Sequence, residues 1–290
     1  MPSPREIRRR IRSVKNMSQI TRALEMVAAS KMRRAQDRVT RSRPYSERLR
    51  EVLGDLASAP MDAEQLQEFP LLAERPQIRK TALILVTPDR GLSGALTANI
   101  LRRATQYIRQ ETGTPVEVIA VGKKGVQFAA RTRQDVVAEF QGLGDAPTLD
   151  DIRPITQIAI EQFLEGKVDA VHLVFPKFIN TLVQRPEVVQ LLPIVRPEQS
   201  HTTEDYLFEP DSKAVLNGIL PRYVEVVVYQ AILDTVASFY SAQMVAMRNA
   251  TDNAKELTSD LQLALNKARQ AQITNEVAEI SAGANAFRVE

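Results

Sequence analysis

The hydrophobic pattern divides the chain into two helical ends and a strand-rich middle. In the N-terminal segment apolar residues fall at Ile7, Ile11, Val14, Met17, Ile20, Leu24, Val27, Met32, Ala35 and Val39. Most steps are three or four residues, which places one apolar stripe along a helix. Pro44 is expected to interrupt that helix, with the pattern resuming to about Leu56. The C-terminal segment repeats the arrangement at Tyr223, Val227, Ala231 or Leu233, Val236, Tyr240, Met244, Met247, Ala254, Leu257, Leu261, Leu265 and Ala268. Residues 5–43 and 222–282 contain neither glycine nor proline. Two long helices at opposite ends of one chain are expected to pair as an antiparallel coiled coil. The second would run roughly 90 Å at 1.5 Å per residue, and so is expected to project from a body about half as wide. Both stripes are rich in Ala, Ser, Thr and Met. Such a seam packs closely but buries little area, so an enclosing partner is expected to support it. Asp211 or Ser212 is expected to cap the first segment of the C-terminal helix, and Pro221 predicts a kink or a helix start.

The middle has a different period. TALILV (81–86) is a continuous apolar run closed by TPDRG, and a helix follows from about Gly94 to Glu111. VEVIAVG (116–122) predicts a second strand, residues 123–131 a short helix, and Leu149 to Glu165 a third helix with Thr148 as N-cap. AVHLVF (170–175) predicts another strand, and PEVVQLLPI (186–194) holds at least one more. Buried strands alternating with helices indicate a mostly parallel sheet. The expected fold is α/β: a central α/β domain (57–210) between an N-terminal coiled-coil helix (1–56) and a C-terminal one (211–290).

Composition narrows the chemistry. With no cysteine in 290 residues, disulfides, thiolate metal sites and thiol nucleophiles are excluded. His172 and His201 are far apart in sequence and read as ordinary residues rather than ligands or bases. No apolar run reaches the length of a membrane span. The first sixteen residues are Arg-rich but lack the apolar core of a secretory signal, and they run straight into the helical pattern. The net charge of +3 is unevenly placed. Residues 5–48 carry fourteen Lys or Arg and four Asp or Glu, a net of +10, which leaves about −7 on the rest. A basic helix of this kind suits nucleic acid, anionic lipid or an acidic protein surface, but charge alone favours a solvated helix face.

Two stretches carry candidate chemistry. TPDRGLSGALTANI (87–100) is a glycine-containing loop between strand and helix, where free amides attract anions. Its Gly91-x-x-Gly94 spacing is neither of the familiar phosphate-loop patterns, and the reading preferred is a tight turn that needs both glycines. Asp89, Asp150, Asp151 and Glu161 are single acids without a clustered partner set. Near the C-terminus, Asn266, Arg269, Gln270 and Thr274 place hydrogen-bonding groups on one helix, and the fork of Arg269 suits a carboxylate. Beyond Ile280 the sequence SAGANAF is small and almost uncharged. A tip able to turn in an apolar sleeve and a frayed helix end stopped by Gly283 fit it equally.

Three blocks resemble the gamma-subunit family of the F-type ATP synthases: IRSVKNMSQITRALEMVAASKMRRAQDRV (11–39), TPDRGLSGALTANI (87–100), and MVAMRNATDNAKEL (244–257) continuing into LNKARQAQITNEVAEISAGANAF (265–287). The resemblance covers essentially the whole chain and is weakest at about 57–80 and 131–200. It implies an antiparallel coil of both termini with a Rossmann-like central domain. It further implies a non-catalytic central rotor shaft without cofactors of its own. That shaft sits within three alpha and three beta subunits, with a c-subunit ring and an epsilon subunit as further partners, peripheral to a bacterial cell membrane on the cytoplasmic side. By matching position, Arg269, Gln270, Thr274 and Glu276 are implied contacts of a beta-subunit catch loop. Arg22, Leu24, Lys31, Arg33 and Arg34 are implied contacts of the acidic beta lever segment, and Tyr206 and Glu209 of the c ring and epsilon. Ser93 stands where many members have Cys, and the cysteine-bearing regulatory insertion of chloroplast members is absent, so no thiol switch is expected. An α/β enzyme that binds nucleotide through the 87–100 loop, with a helical oligomerisation stalk, is the alternative. A basic coiled coil on nucleic acid is a third reading; it gives no reason for the neutral tip.

Overall fold

The computed structural model describes residues 3–57, 68–195 and 212–286. Its elements are α1 (Pro4–Ala57), β1 (Thr81–Val86), α2 (Leu96–Gln106) closed by a π-helical turn (Tyr107–Glu111), β2 (Val116–Val121), α3 (Lys123–Thr132), β3 (Asp135–Phe140), α4 (Leu149–Leu164), β4 (Ala170–Phe178), β5 (Gln184–Leu192) and α5 (Ser212–Ala286). They form two compact units. One joins Met1–Ala28 with Met244–Glu290; the other is Ala29–Gln243.

In the second unit, five strands form one sheet in the order β3-β2-β1-β4-β5. β1 pairs in parallel with β2 and β4, and β2 with β3. β5 returns antiparallel on β4. All six residues of β1 are buried, as a strand covered on both faces requires. The core layers Ile84, Ile119, Val171 and Leu173 of the sheet against Ile152, Ile155 and Phe163 of α4 and against Leu220, Val224 and Val228 of α5. Each such side chain contributes about 1.5–3 kcal/mol on burial, so the lower part of α5 is held by the sheet. α4 starts where its sequence dictates: Thr148 and Asp151 cap each other reciprocally.

The helix pair departs from the expected stripes. In the second unit Ala35 and Val39 of α1 pack on Leu233 and Ala237 of α5 and on Phe178 of β4. In the first unit the Thr21 and Thr251 hydroxyls meet at 2.7 Å, Glu25 accepts from Arg248 at 2.9 Å, and Ile7 and Ile11 pack on Leu265. Rising numbers on α1 meet falling numbers on α5, so the pairing is antiparallel. On α1 the buried or half-buried residues Ile7, Ile11, Val14, Ser18, Thr21, Glu25, Ala28, Met32, Ala35 and Val39 recur at alternating steps of four and three, with the half-buried Leu24, Ala29, Lys31 and Arg38 beside them. On α5 the matching positions are Leu233, Ala237, Tyr240, Met244, Met247, Thr251, Ala254, Thr258, Leu261, Leu265 and Ala268, each buried or half-buried. This 3.5-residue repeat is that of a left-handed coil. Met17, Ile20, Val27 and Leu257, assigned to the stripe by hydrophobicity, are instead 55, 55, 53 and 48 % exposed. Ser18, Thr21, Glu25, Thr251 and Thr258 take the seam in their place, and four of them bond there: Thr21, Glu25 and Thr251 across the seam, Thr251 and Thr258 to their own helix.

Other expectations are also corrected. α1 runs through Pro44 without interruption. Pro44 and Thr40, whose carbonyl it leaves without an amide, are both exposed, so water can replace the lost bond. α5 runs through Pro221, which is therefore not a helix start. Asp211 and the Ser212 side chain lie outside what is described. β3 escaped the sequence reading: it is a short edge strand bearing Asp135 and Glu139, and none of its side chains is fully buried.

Candidate functional site

Among the described residues, we take two places as candidates for a ligand or a partner. The first is the crevice at the carboxyl ends of β1 and β2, the usual ligand position in an open α/β sheet. It is walled by Val86, Pro88, Val121 and Leu143 and by Val236 and Phe239 of α5. Its anion position is filled from within. The Asp89 carboxylate accepts from the amides of Lys123, at the start of α3, and Gly142, at 2.8 and 3.2 Å. The Thr87 hydroxyl accepts from Gly125 N at 2.7 Å and donates to the Val121 carbonyl. The helix terminus that would attract a phosphate is thus neutralised by a carboxylate of the same chain. The turn itself needs only one of its glycines: Gly94 has φ +56°, whereas Gly91 does not enter the left-handed region. Leu92 takes the other left-handed position, at φ +66°.

Remaining titratable groups are accounted for locally. Asp151 is held below the usual carboxylate range by the Thr148 amide and hydroxyl. Asp150 pairs with Arg153, and Glu161 accepts from Gln157. The His172 ring lies 5.1 Å from that of Tyr107, and burial lowers its pKa. Among the described residues no three His, Asp or Glu side chains are placed to share a metal ion, and no helix is long and apolar enough to cross a membrane.

The second place is the outer surface of the helix pair. Arg22, Arg33 and Arg34 are exposed on α1, and Leu24 is half-buried. Lys31 differs from these four. Its ammonium is held 2.6 Å from Asp145, in the loop after β3, and 3.3 Å from the Tyr240 hydroxyl. The Asp145 bond, followed by that to Tyr240, raises the Lys31 pKa. For Asp145 burial pushes the carboxyl up, but the bonds from Lys31 and Tyr240 outweigh it and the net direction is down. On α5, Arg269, Gln270, Thr274 and Glu276 are all exposed, as is every residue from Arg269 to Ala282. Thr274 donates its hydroxyl to the Gln270 carbonyl, and Gln272 donates to Glu276. Tyr206 and Glu209 lie outside the described residues.

Sequence reasoning missed the apolar residues of this surface. Ile273, Val277 and Ile280 are 54, 59 and 72 % exposed at i, i+4 and i+7 of one helix face. Met17, Ile20, Met26 and Val27 are similarly bare on α1. The signal lay in the seam. Continued past Ala268 at the same spacing it falls on Gln272, Asn275 and Glu279, which are polar and exposed, while the apolar residues stand one or two positions aside. An apolar stripe of this kind, off the seam that pairs the helices, is left without a partner residue on α1 and suits a contact with another chain.

Comparison with known proteins agrees with this division. A family model described as ATP synthase matches residues 3–287. The "ATP synthase gamma chain" of Roseiflexus castenholzii is 56 % identical over 290 residues, covering 99 % of both chains. That of Chloroflexus aurantiacus is 53 % identical, again over 99 % of each. In solved structures the same fold recurs. A chain in the rotational state 3 structure of the Euglena gracilis mitochondrial ATP synthase, containing OSCP, F1 and c-ring, aligns at TM-score 0.67. The match covers 98 % of this chain and 94 % of that one at 18 % identity. A chain of the central stalk and c-ring structure from Tetrahymena thermophila mitochondrial ATP synthase aligns at TM-score 0.60, covering 80 and 99 % at 22 % identity.

Proposed function

This chain belongs to the ATP synthase gamma-chain family, and on that premise we propose that it is the central shaft of a rotary ATP synthase. It has no catalytic centre of its own. It turns within a ring of three alpha and three beta subunits, and its foot rests on the c ring beside epsilon, peripheral to a bacterial membrane on the cytoplasmic side. The observation that carries the reading is the bare surface of α5 from Arg269 to Ala282, with its exposed stripe of Ile273, Val277 and Ile280, which suits an enclosing sleeve. The self-filled anion position beneath Asp89 speaks against the nucleotide-binding alternative, and the relatives lend that alternative no support. A shaft of this kind works by differential affinity. Each angle presents a different face to each surrounding site and so favours a different conformation there.

Within this reading, Arg269, Gln270, Thr274 and Glu276 grip a beta-subunit catch loop. Arg22, Arg33 and Arg34, flanking the half-buried Leu24, meet an acidic lever segment, and Tyr206 and Glu209 face the c ring and epsilon. The basic surplus on residues 5–48 gives that contact its charge complementarity. Lys31, assigned to the same contact, is already engaged by Asp145, so its share in the lever contact is the smaller. Arg269→Ala with Gln270→Ala is expected to reduce torque or turnover of the assembled complex several-fold, while nucleotide binding to isolated beta subunit stays unchanged. Unaltered turnover and coupling in that double variant would remove the catch role.

A further inference from the structure

Two loops of the sheet domain reach the helix pair at the same level, and each touches both helices. In the loop after β3, the Asp145 carboxylate takes Lys31 of α1 on one oxygen and the Tyr240 hydroxyl of α5 on the other. Its main-chain carbonyl accepts from Arg38 of α1 at 2.8 Å. Lys31 also lies over the Tyr240 ring, 5.2 Å from its centre. In the β4–β5 hairpin tip, the Thr181 carbonyl accepts from Ser241 of α5 at 2.6 Å, and its hydroxyl lies 4.0 Å from the Met32 sulfur of α1. Lys31 and Met32 are consecutive residues, as are Tyr240 and Ser241. Consecutive side chains leave a helix about 100° apart, so the two loops hold the pair from different sides.

We propose that these loops form a collar that fixes the angle of the helix pair relative to the sheet domain, with Asp145 as its positioning residue. The inference rests on the shaft reading for its consequence, torque, but not for the grip itself. Lower on the helices the attachment is chiefly apolar: α5 contributes Leu216, Leu220, Val224 and Val228 to the sheet core, and α1 contributes Leu53, while Ser238 of α5 donates to the Pro176 carbonyl of β4 and Arg153 of α4 donates to Glu225 of α5. Apolar packing resists separation but is non-directional. A charged carboxylate with a bond to each helix is directional, and it lies at the level where α1 has only Ala35 and Val39 in an apolar cluster. Asp145 is therefore placed to resist twisting of α1 around α5.

The grip is read first in the chain alone. Asp145→Ala is expected to speed amide exchange in residues 29–43 about tenfold and to leave β1 (81–86) unchanged, because only local opening is eased. Equal protection of 29–43 in variant and wild type would overturn the collar, as would loss of protection in both segments together, which is general destabilisation. Torque is then read in the complex with alpha and beta subunits, stalled with bound nucleotide, from the angular fluctuation of a bead fixed to the sheet domain. Asp145→Ala is expected to widen the angular variance at least twofold. Because the chain has no cysteine, Thr181→Cys with Ser241→Cys can be joined in the isolated chain by a short bis-maleimide, each thiol adding across one maleimide double bond, and the complex assembled from the linked chain is expected to turn over normally. Unchanged variance in Asp145→Ala, or arrest by the linker, would overturn the torque role. If the wild-type complex does not rotate at all, the shaft reading fails while the exchange result still decides the grip.

Discussion

Gly122→Ala is expected to destabilise the sheet domain severely. Gly122 joins β2 to α3 with φ +89° and ψ +143°, a conformation that essentially only glycine adopts. Its amide donates to the Phe140 carbonyl at 2.7 Å, and its own carbonyl accepts from the Thr87 hydroxyl. A methyl group on its Cα would overlap the Thr87 main-chain carbonyl and also meet the Thr87 hydroxyl. The obstruction is backbone, which cannot swing aside. Thr87 is in turn bonded to Val121 and Gly125, so a shift would open three elements together. Backbone strain and overlap together cost about 4 kcal/mol or more, a large part of the stability of an ordinary domain. Gly113→Ala is the control. Gly113 also has positive φ, at +62°, but nothing stands within 4 Å of the added carbon, so the cost there is about 1 kcal/mol. Urea titration of both variants checks the pair. Equal midpoints would show that the Thr87 contact does not constrain this turn.

The second large effect concerns Asp234 of α5, which is 5 % exposed. Burial pushes its carboxyl up to about 7, against the pull of Arg43 from α1, the bond from Gln230 on its own helix, and Lys177 from β4; Glu187 of β5 adds to the push. A carboxyl with a raised folded pKa binds its proton more tightly in the folded state. The stability it confers is complete below about pH 4, is lost as pH rises from about 4 to about 7, and changes no further above that. Three pKa units set an upper bound of roughly 4 kcal/mol, and about 2 is the expected effect after local relaxation. Asp234→Asn keeps the shape and removes the ionisation. The variant is therefore expected to be about 2 kcal/mol more stable than wild type at pH 8 and nearly equal to it at pH 4.5. Denaturant unfolding at both pH values measures this. A variant less stable at pH 8 would mean that Arg43 and Lys177 hold a charged carboxylate favourably and that burial does not dominate.

Legibility in the sequence followed the strength of the physical signal. The run TALILV announced a strand buried on both faces because nothing polar interrupts it. Thr148 announced a helix start because the reciprocal bond with Asp151 is local. β3 was silent: an edge strand needs few apolar residues, and DVVAEF alternates too weakly to stand out. The seam was misread because hydrophobicity was followed instead of spacing. Met17, Ile20 and Leu257 are apolar but lie outside the 3.5-residue repeat, whereas Thr21 and Thr251 lie on it and satisfy each other. That error concealed the bare stripe of Ile273, Val277 and Ile280. Lys31 could not be separated from Arg33 and Arg34 by sequence either, since its partner Asp145 is 114 residues away.

Helix length, the bare C-terminal surface and family membership all converge on assembly with other chains, and assembly is where the account is most directly tested. The chain is co-expressed with alpha and beta subunits, and the product is sized and assayed for ATP hydrolysis. The account predicts a complex holding one copy of this chain for three alpha–beta pairs, with hydrolysis that depends on its presence. A chain that runs alone, and binds or turns over nucleotide by itself, would contradict it.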